Sequence, residues 1–344
     1  MGNEFTTGHL SEKLRNLETI INNANWDHKW HPNPDSSIIS DLHIIMKTYL
    51  VAASYDLTFS ITPLIDEIAS SHYEAKHAFA SAQANRIVPT DDGKIAICTN
   101  PSVMIFDPKS LSSKPTTYSG HQTNVTDVVF NGSTFYTCSE DRTCKIWSRT
   151  IPRYQASFNT SSSLNSIYLM PNKNQVITSN EKGHIEMWDN RKFDRVFFVK
   201  IASFPIRSLA VNKEGTRLVA VTHNGQGHIY NITDSGFEKV LEFPTNHTIP
   251  LRVIISPDEN FFVTTGSDSK ARLWEFETGK QVGIFENSSM TKYLWDASYT
   301  PDGKYLCTGG TDKLARVWDS SNQSLVASFD WHGKGLTCLS VMNF

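Results

Sequence analysis

The chain has 344 residues with a formal net charge of −3, and 39% of its residues are hydrophobic. This slightly acidic balance offers no basic stripe for a phosphate backbone, so no nucleic acid is expected among its partners. No apolar run reaches the roughly 18 residues that a membrane-spanning helix needs.

Residues 1–47 precede a repeating pattern and are predicted to form a separate N-terminal extension. Its apolar residues at helical spacing are Leu10, Leu14, Leu17, Ile20 and Ile21. This spacing predicts a short amphipathic helix over residues 10–23. Pro32 and Pro34 end regular structure in the arm that follows. We expect the helix and arm to dock on the edge of the following domain or to be partly disordered, and a partner-binding arm is the alternative.

The first residues also bear on location. Gly2 opens a minimal myristoylation pattern, but no basic residues follow at once to add a second membrane signal. Membrane contact is therefore expected only indirectly, through partners, and acylated Gly2 is the alternative. The N-terminus has no secretory pattern, and the five scattered cysteines include no Cys-x-x-Cys pair. We expect a cytoplasmic protein, associated with endomembranes through its complex.

A short pattern recurs seven times at intervals of 41 to 44 residues. Each copy has a small or polar residue, an acidic turn, and alternating apolar residues that usually end in an aromatic one. The copies end at Thr62, Phe106, Trp147, Trp188, Tyr230, Trp274 and Trp318, and those ending at Trp147, Trp274 and Trp318 are best kept. Such a period predicts an all-β, seven-bladed WD-repeat β-propeller over residues 48–344.

The ends of the repeat region predict how the ring closes. Thr48–Asp56 matches the second strand of a repeat, and Leu336–Val341 matches a first strand with nothing after it. The C-terminal strand should therefore complete the first blade and leave no open sheet edge in the ring.

One repeat carries a full set of polar residues that WD repeats use as a buried hydrogen-bond chain. The set is His121, Ser139, Asp141 and Trp147. We expect Asp to accept from His, His from Ser, and Ser from the indole, which would fix the strand geometry. Gly266 and Gly310 replace the serine in the sixth and seventh repeats, so the chain is expected to be complete only in the third.

No residue pattern favours catalysis. Asp, His and Ser also make up a catalytic triad, but no glycine elbow or oxyanion-hole motif surrounds Ser139. Gly225–Gly227 and Gly309–Gly310 do not continue into a phosphate-binding loop. His28 and His31 lack further metal ligands. We expect no enzyme activity, no cofactor and no metal.

The expected working surface is the face where the loops before the first strands meet the turns between the second and third strands. By repeat position it carries Asn85, Asn124, Thr126, Glu140, Asn165, Arg207, Leu251, Ser267, Tyr293, Trp295 and Thr311. Tyr293 and Trp295 alternate, so they should point the same way as exposed aromatic anchors at the channel mouth. The alternative is that Trp295 packs between blades.

Several segments together resemble a known family. They are Val51–Asp56, Asn100–Asp107, Tyr118–Thr126, Ile206–Leu209 and Tyr293–Asp296. Over residues 48–344 the chain resembles the small WD-repeat subunit of TOR kinase complexes, the Lst-eight or G-protein-beta-subunit-like family. The extension before the repeats, the segment Thr62–Leu64 and the pair Asn246–His247 depart from it.

The resemblance implies a monomeric, non-catalytic scaffold. It would bind the C-lobe of a TOR-type kinase, stabilise the kinase domain and join other TOR complex subunits. Tyr293 and Trp295 are then the best candidates for the contact, with Asn124, Glu140 and Arg207 around them. The alternative is another WD-repeat adaptor, such as a ubiquitin-ligase substrate receptor or a chromatin or trafficking scaffold. An enzyme on a propeller and a regulator anchored through Gly2 are two further hypotheses.

Overall fold

The described backbone is a ring of seven antiparallel sheets. The computed structural model describes residues 48–64, 76–79, 82–171, 174–192 and 194–343. These ranges hold 28 strands in seven four-stranded sheets, so the predicted seven-bladed, all-β propeller is confirmed. No helix in these ranges is long and apolar enough to span a membrane. The predicted helix over residues 10–23, the arm and Gly2 lie outside the described residues.

The strands follow the repeats in chain order. Blade 1 consists of β28 (Leu336–Asn343), β1 (Thr48–Ser54), β2 (Thr58–Leu64) and β3 (Lys76–Phe79). Blade 2 has β4 (Arg86–Pro89), β5 (Ile95–Cys98), β6 (Ser102–Phe106) and β7 (Thr116–Ser119). Blade 3 has β8 (Val125–Asn131), β9 (Thr134–Ser139), β10 (Thr143–Ser148) and β11 (Tyr154–Asn159). Blade 4 has β12 (Leu164–Leu169), β13 (Gln175–Asn180), β14 (His184–Asp189) and β15 (Asp194–Lys200).

The last three blades repeat the same order. Blade 5 has β16 (Ile206–Val211), β17 (Arg217–Thr222), β18 (Gln226–Thr233) and β19 (Gly236–Pro244). Blade 6 has β20 (Pro250–Ile255), β21 (Phe261–Gly266), β22 (Ala271–Glu275) and β23 (Gln281–Phe285). Blade 7 has β24 (Leu294–Tyr299), β25 (Tyr305–Gly310), β26 (Ala315–Asp319) and β27 (Leu325–Phe329).

The core lies between neighbouring blades. The closing tryptophan of a repeat is buried and packs against the preceding blade, as Trp147 does against Cys98 and Val103 of blade 2. Inside its own blade, Trp147 stacks on Phe135 with ring centroids 5.8 Å apart. Because each blade buries one face on each neighbour, no blade has a complete core of its own.

The C-terminal strand closes the ring. β28 pairs antiparallel with β1, from Thr48 opposite Asn343 to Ser54 opposite Leu336. The predicted completion of blade 1 by the end of the chain is thus confirmed. On its other side β28 contacts blade 7, where Leu339 N–H donates a 3.1 Å hydrogen bond to Asp296 Oδ2.

Candidate docking face

The first strands of blades 3 to 7 carry a β-bulge near their starts. The residues skipped by the pairing are Thr126, Asn165, Arg207, Leu251 and Trp295. A bulge residue is left out of the ladder, and its side chain is re-aimed relative to its neighbours. This geometry explains why one repeat position supplies side chains to one face of the ring.

In blades 2 to 4, the side chains at this position bridge to the next blade. Asn85 Nδ2 donates to Val125 O at 3.1 Å, Thr126 Oγ1 to Leu164 O at 2.9 Å, and Asn165 Nδ2 to Ile206 O at 2.7 Å. These bonds satisfy carbonyl groups of the neighbouring first strand and fasten adjacent blades together. Asn85 and Asn165, both predicted as partner-binding residues, therefore have a structural task in the ring.

In blades 5 to 7, the same position is not used for such a bridge. Arg207 turns to its own blade, where Nε and Nη2 lie 3.0 and 2.8 Å from His223 Nδ1. Leu251 is apolar, and Trp295 Nε1 makes no hydrogen bond with any described residue. We call Arg207, Leu251, Trp295 and Tyr293 the docking arc.

The two aromatic residues of the docking arc form one unit. Their rings stack with centroids 5.1 Å apart and planes 18° apart. Tyr293 is 39% exposed and lies just before β24, and Thr311 N–H donates to its carbonyl at 2.9 Å. Trp295 is half-buried, with its indole nitrogen buried. The pair thus offers an exposed ring supported by a second one.

The predicted partner-binding residues also form polar pairs, within one blade for Asn124 and Asn165 and between blades 5 and 4 for Arg207. Asn124 Nδ2 donates to Glu140 Oε2 at 2.9 Å in blade 3. Asn165 Nδ2 donates to Glu181 Oε1 at 2.8 Å, and Arg207 Nη1 lies 3.9 Å from the same oxygen. Glu181 and His223 were missed by the sequence reading, although they occupy the same turn position as Glu140.

The polar chain of blade 3 is buried, but its hydroxyl is a different one from that predicted. Trp147 Nε1 donates to Thr137 Oγ1 at 2.8 Å, and Thr137 Oγ1 lies 2.7 Å from His121 Nε2. His121 Nδ1 lies 2.8 Å from Asp141 Oδ2. Placing Ser139 in this chain was wrong. Because Trp147 lies opposite Phe135, its indole reaches Thr137, whereas Ser139 donates to Asn124 O at 2.8 Å.

Every donor in this chain has an acceptor, and the carboxylate at its end is held in its charged form. Burial alone would raise the pKa of Asp141, but hydrogen bonds from His121, Thr143 and the Gln122 N–H outweigh burial and keep the pKa well below its usual value. Because Thr137 Oγ1 accepts from the Trp147 indole, its own proton is available for His121 Nε2, and Asp141 orients that imidazole. The chain therefore fixes strand geometry inside the blade.

The expectation that only the third blade has a complete chain was also wrong. In blade 6, Trp274 Nε1 donates to Thr264 Oγ1 at 2.9 Å, and His247 joins Thr264 to Asp268. Gly266 stands at the serine position, which the chain does not use. In blade 1, His332 Nε2 lies 3.0 Å from Ser60 Oγ. The missed signal is a threonine ten residues before the tryptophan, as in Thr264 and Trp274.

Among the described residues, no group of three or more His, Cys, Asp or Glu side chains is arranged to hold a metal ion. The five cysteines are buried and unpaired, and burial raises the pKa of each thiol.

A known family model matches the three repeats in which the sequence pattern is best kept. The model of the WD domain, G-beta repeat, matches residues 112–148, 238–275 and 279–319. Each match ends just after Trp147, Trp274 or Trp318. Blades 3 and 6, which hold two of these residues, contain the complete polar chains described above.

Relatives identify the family. Protein LST8 homolog of Drosophila pseudoobscura pseudoobscura is 32% identical over 275 residues, which cover 76% of this chain and 86% of that protein. The chain belongs to the LST8 family. The sequence resemblance to the Lst-eight proteins is thereby confirmed.

Two fungal members of the LST8 family are similar at lower identity. Target of rapamycin complex subunit wat1 of Schizosaccharomyces pombe is 26% identical over 237 residues, covering 66% of this chain and 74% of the relative. Target of rapamycin complex subunit LST8 of Saccharomyces cerevisiae is 26% identical over 243 residues, covering 67% of this chain and 78% of the relative. The names of both describe subunits of a complex.

Proposed function

We propose that this LST8-family chain is a non-catalytic scaffold subunit of a TOR-type kinase complex, and that it binds and stabilises the kinase domain through the C-lobe. Relatives over most of its length are named as target of rapamycin complex subunits. The observation that carries the proposal is the docking arc, where the described side chains at the bulge positions of blades 5 to 7 make no hydrogen bond to a carbonyl of the next blade.

The chemistry of the docking arc suits a protein partner. Interfaces are anchored by a few aromatic and arginine side chains near their centre. Tyr293 and Trp295 supply stacked aromatic surface, Leu251 adds apolar surface, and Arg207 contributes a guanidinium already oriented by His223. The bond to His223 restricts Arg207, and stacking restricts the rings of Tyr293 and Trp295 before binding. Little conformational entropy is therefore lost when the partner docks.

A scaffold of this kind acts by mass action. A rigid ring that binds only the folded kinase domain raises that domain's stability by an amount set by its concentration relative to Kd. The closed propeller needs no cofactor for this role, and Asn124 and Glu140 of blade 3 extend the proposed contact beyond the docking arc.

The test is co-purification from cells expressing the tagged chain with its cognate TOR-type kinase. Trp295→Ala and Tyr293→Ala should reduce the kinase recovered per propeller. Loss of a hot-spot aromatic costs about 2 kcal/mol or more of binding free energy, or roughly 30-fold in Kd. Phe198→Ala is the matched control, because Phe198 is an aromatic that is 56% exposed on the outer strand of blade 4.

Two results would overturn the proposal. Folded Trp295→Ala protein that retains wild-type kinase recovery would remove the docking arc from the contact. Recovery of cullin components, with no large kinase, would favour the ubiquitin-ligase adaptor instead. Melting of the kinase domain alone and with the propeller measures the stabilising role directly.

We further propose that the chain works in the cytoplasm. Five unpaired, buried thiols fit a reducing compartment, where structural disulfides rarely form. Fractionation of cells expressing the tagged chain tests this, and recovery in the secretory pathway would contradict it.

A further inference from the structure

The centre of the ring contains a channel whose walls are more apolar than polar. The channel encloses about 600 Å³. Its apolar lining includes Val128, Ile167, Leu209, Ala210, Val253 and Ile254 from consecutive first strands. Lys213, Pro257 and Pro301, which lie in turns after the first strands, line one end. The channel is therefore reached from the face opposite the docking arc.

Two arginines and two aspartates, each directly after a bulge-position residue, lie toward the docking-arc end of the channel. Arg86 of blade 2 reaches Asp127 of blade 3, with Nε 3.4 Å from Oδ1, and Asp296 of blade 7, with Nη1 3.0 Å from Oδ2. Arg252 of blade 6 lies on the other side of Asp296, with Nε 3.3 Å from Oδ1. We call these four residues the charged belt.

The carboxylates of the charged belt are already occupied by backbone donors. Asp127 accepts from the N–H groups of Val128 and Ile167 at 3.0 and 3.2 Å. Asp296 accepts from those of Ala297 and Leu339 at 2.9 and 3.1 Å. Each carboxylate thus divides its acceptor capacity between arginine and the backbone.

The guanidinium groups keep donors to spare. A guanidinium has five N–H donors. Among the described residues, Arg86 makes a hydrogen bond to Asp296, and Arg252 makes a 3.4 Å hydrogen bond to Ser208 Oγ. The Nε atoms of both arginines are buried and lie 3.4 and 3.3 Å from aspartate oxygens without forming a hydrogen bond, so the spare donors are on the terminal nitrogens. Burial and the neighbouring charge of Arg86 both lower the pKa of Arg252. Asp296 lies between the two guanidinium groups, and a further anion beside them would add to its offset of their mutual repulsion.

We propose that the central channel is a binding site for a small amphipathic carboxylate. Its carboxylate would accept hydrogen bonds from Arg86 and Arg252, and its apolar body would lie against the walls below them. Pockets for small molecules typically enclose roughly 300–1,000 Å³, with apolar walls and few placed polar groups. The channel combines these properties, and the site is independent of the docking arc.

Calorimetric titration of the full-length chain with octanoate tests the proposal. Octan-1-ol, which has a similar tail without the anion, and acetate, which has the anion without the tail, are the matched probes. Octanoate should bind with one-to-one stoichiometry and more tightly than either. Absence of octanoate binding, or equal binding of octan-1-ol, would overturn the proposal.

Variants locate the bound probe. Arg252→Met should weaken octanoate binding roughly tenfold or more, because charge-assisted hydrogen bonds are lost. Ala210→Phe should also weaken it, because the new ring fills the apolar wall while both arginines remain. Arg191→Met, which removes an exposed arginine from blade 4, is the control and should bind like wild type.

The two variants decide the outcome separately. Unchanged affinity in folded Ala210→Phe would show that octanoate adsorbs elsewhere and would overturn the proposal. If Arg252→Met does not fold, Arg252→Lys retains a charge but not the planar fork, and weaker binding by that variant supports the assignment. Wild-type affinity in Arg252→Lys and Ala210→Phe together would refute it.

Discussion

Trp147 Nε1 donates a 2.8 Å hydrogen bond to Thr137 Oγ1, ten residues earlier in the chain. The same bond joins Trp188 to Thr178, Trp274 to Thr264 and Trp318 to Thr308. The threonine lies on the second strand and the tryptophan on the third, so the bond ties two strands at the interface with the preceding blade. This relationship is kept even in blades where the histidine or the aspartate is absent.

Thr264→Val should destabilise the propeller. The substitution removes the acceptor of the Trp274 indole and the partner of His247 Nε2, both buried. Leaving a buried donor or acceptor unsatisfied costs about 1–3 kcal/mol per group. We expect the free energy of unfolding in urea to fall by roughly 2–4 kcal/mol.

The adjacent residue supplies a matched control. Thr265 is equally buried, at 0% exposure, but its hydroxyl has no hydrogen-bond partner among the described residues. Thr265→Val should therefore be neutral or stabilising. If Thr264→Val and Thr265→Val lowered the free energy of unfolding equally, the change in side-chain shape, and not the hydrogen-bond chain, would explain the effect.

The sequence was sufficient to predict the fold because the same pattern of small, acidic and apolar residues occurs seven times. Aromatic spacing set the number of blades, and the unmatched first and last strands predicted closure between β28 and β1. The polar chain was harder to predict, because Ser139 and Thr137 alternate onto the same face of β9. Only the register that places Trp147 opposite Phe135 selects Thr137.

The docking face was predicted as a position but not as a division of roles. Asn165 and Arg207 occupy the same repeat position, and nothing in their spacing separates them. The structure distinguishes the two residues, because Asn165 Nδ2 donates to the carbonyl of Ile206 in blade 5, whereas Arg207 donates to His223 within its own blade. The charged belt was missed for a similar reason, since its members are scattered in sequence and meet only across the channel.

The stability contributed by Asp268 should depend on pH. Burial raises its pKa, but the hydrogen bond from His247 and the charge and hydrogen bond of Arg272 lower it from 3.8 to about 2. A lowered pKa means that the unfolded chain takes up the proton first as pH falls. The stabilisation, about 2 kcal/mol, is thus present above about pH 4 and is lost as pH falls toward 2.

Unfolding of wild type and Asp268→Asn at pH 6 and pH 2.5 measures this contribution. The difference in free energy between them should be largest at pH 6 and should shrink at pH 2.5. Asp330→Asn removes an exposed carboxylate outside the polar chains. Its small effect on the free energy of unfolding should be similar at pH 6 and pH 2.5. A constant Asp268→Asn difference across the range would contradict the assigned pKa shift.

Gly227→Ala should strain blade 5. A Cβ at this position would lie 2.2 to 2.6 Å from ring atoms of Phe243, the residue opposite it on β19. Phe243 cannot yield easily, because it packs against Phe262 and Trp274 with ring centroids 5.6 and 5.0 Å away. Overpacking typically costs about 1–3 kcal/mol, which thermal melting would detect. Gly333→Ala, with no neighbour within 4 Å of the added carbon, should melt like wild type.

Deleting residues 335–344 should prevent cooperative folding, because the deletion removes the innermost strand of blade 1. Buried side chains lost with the segment are Leu336, Cys338, Leu339, Val341 and Met342. Each large apolar side chain contributes about 1.5–3 kcal/mol on burial, against a total stability of about 5–15 kcal/mol for a typical protein. The deletion also exposes the edge of β1.

A synthetic peptide of residues 335–344 distinguishes loss of this strand from general damage. Added in excess to the truncated chain, it should pair with β1 and restore a cooperative melting transition, whereas a scrambled peptide should not. Because the peptide binds only the folded form, the midpoint temperature of the restored transition should rise with peptide concentration. An unchanged melting temperature in the truncated chain alone would show that the ring does not depend on closure by its C-terminal strand.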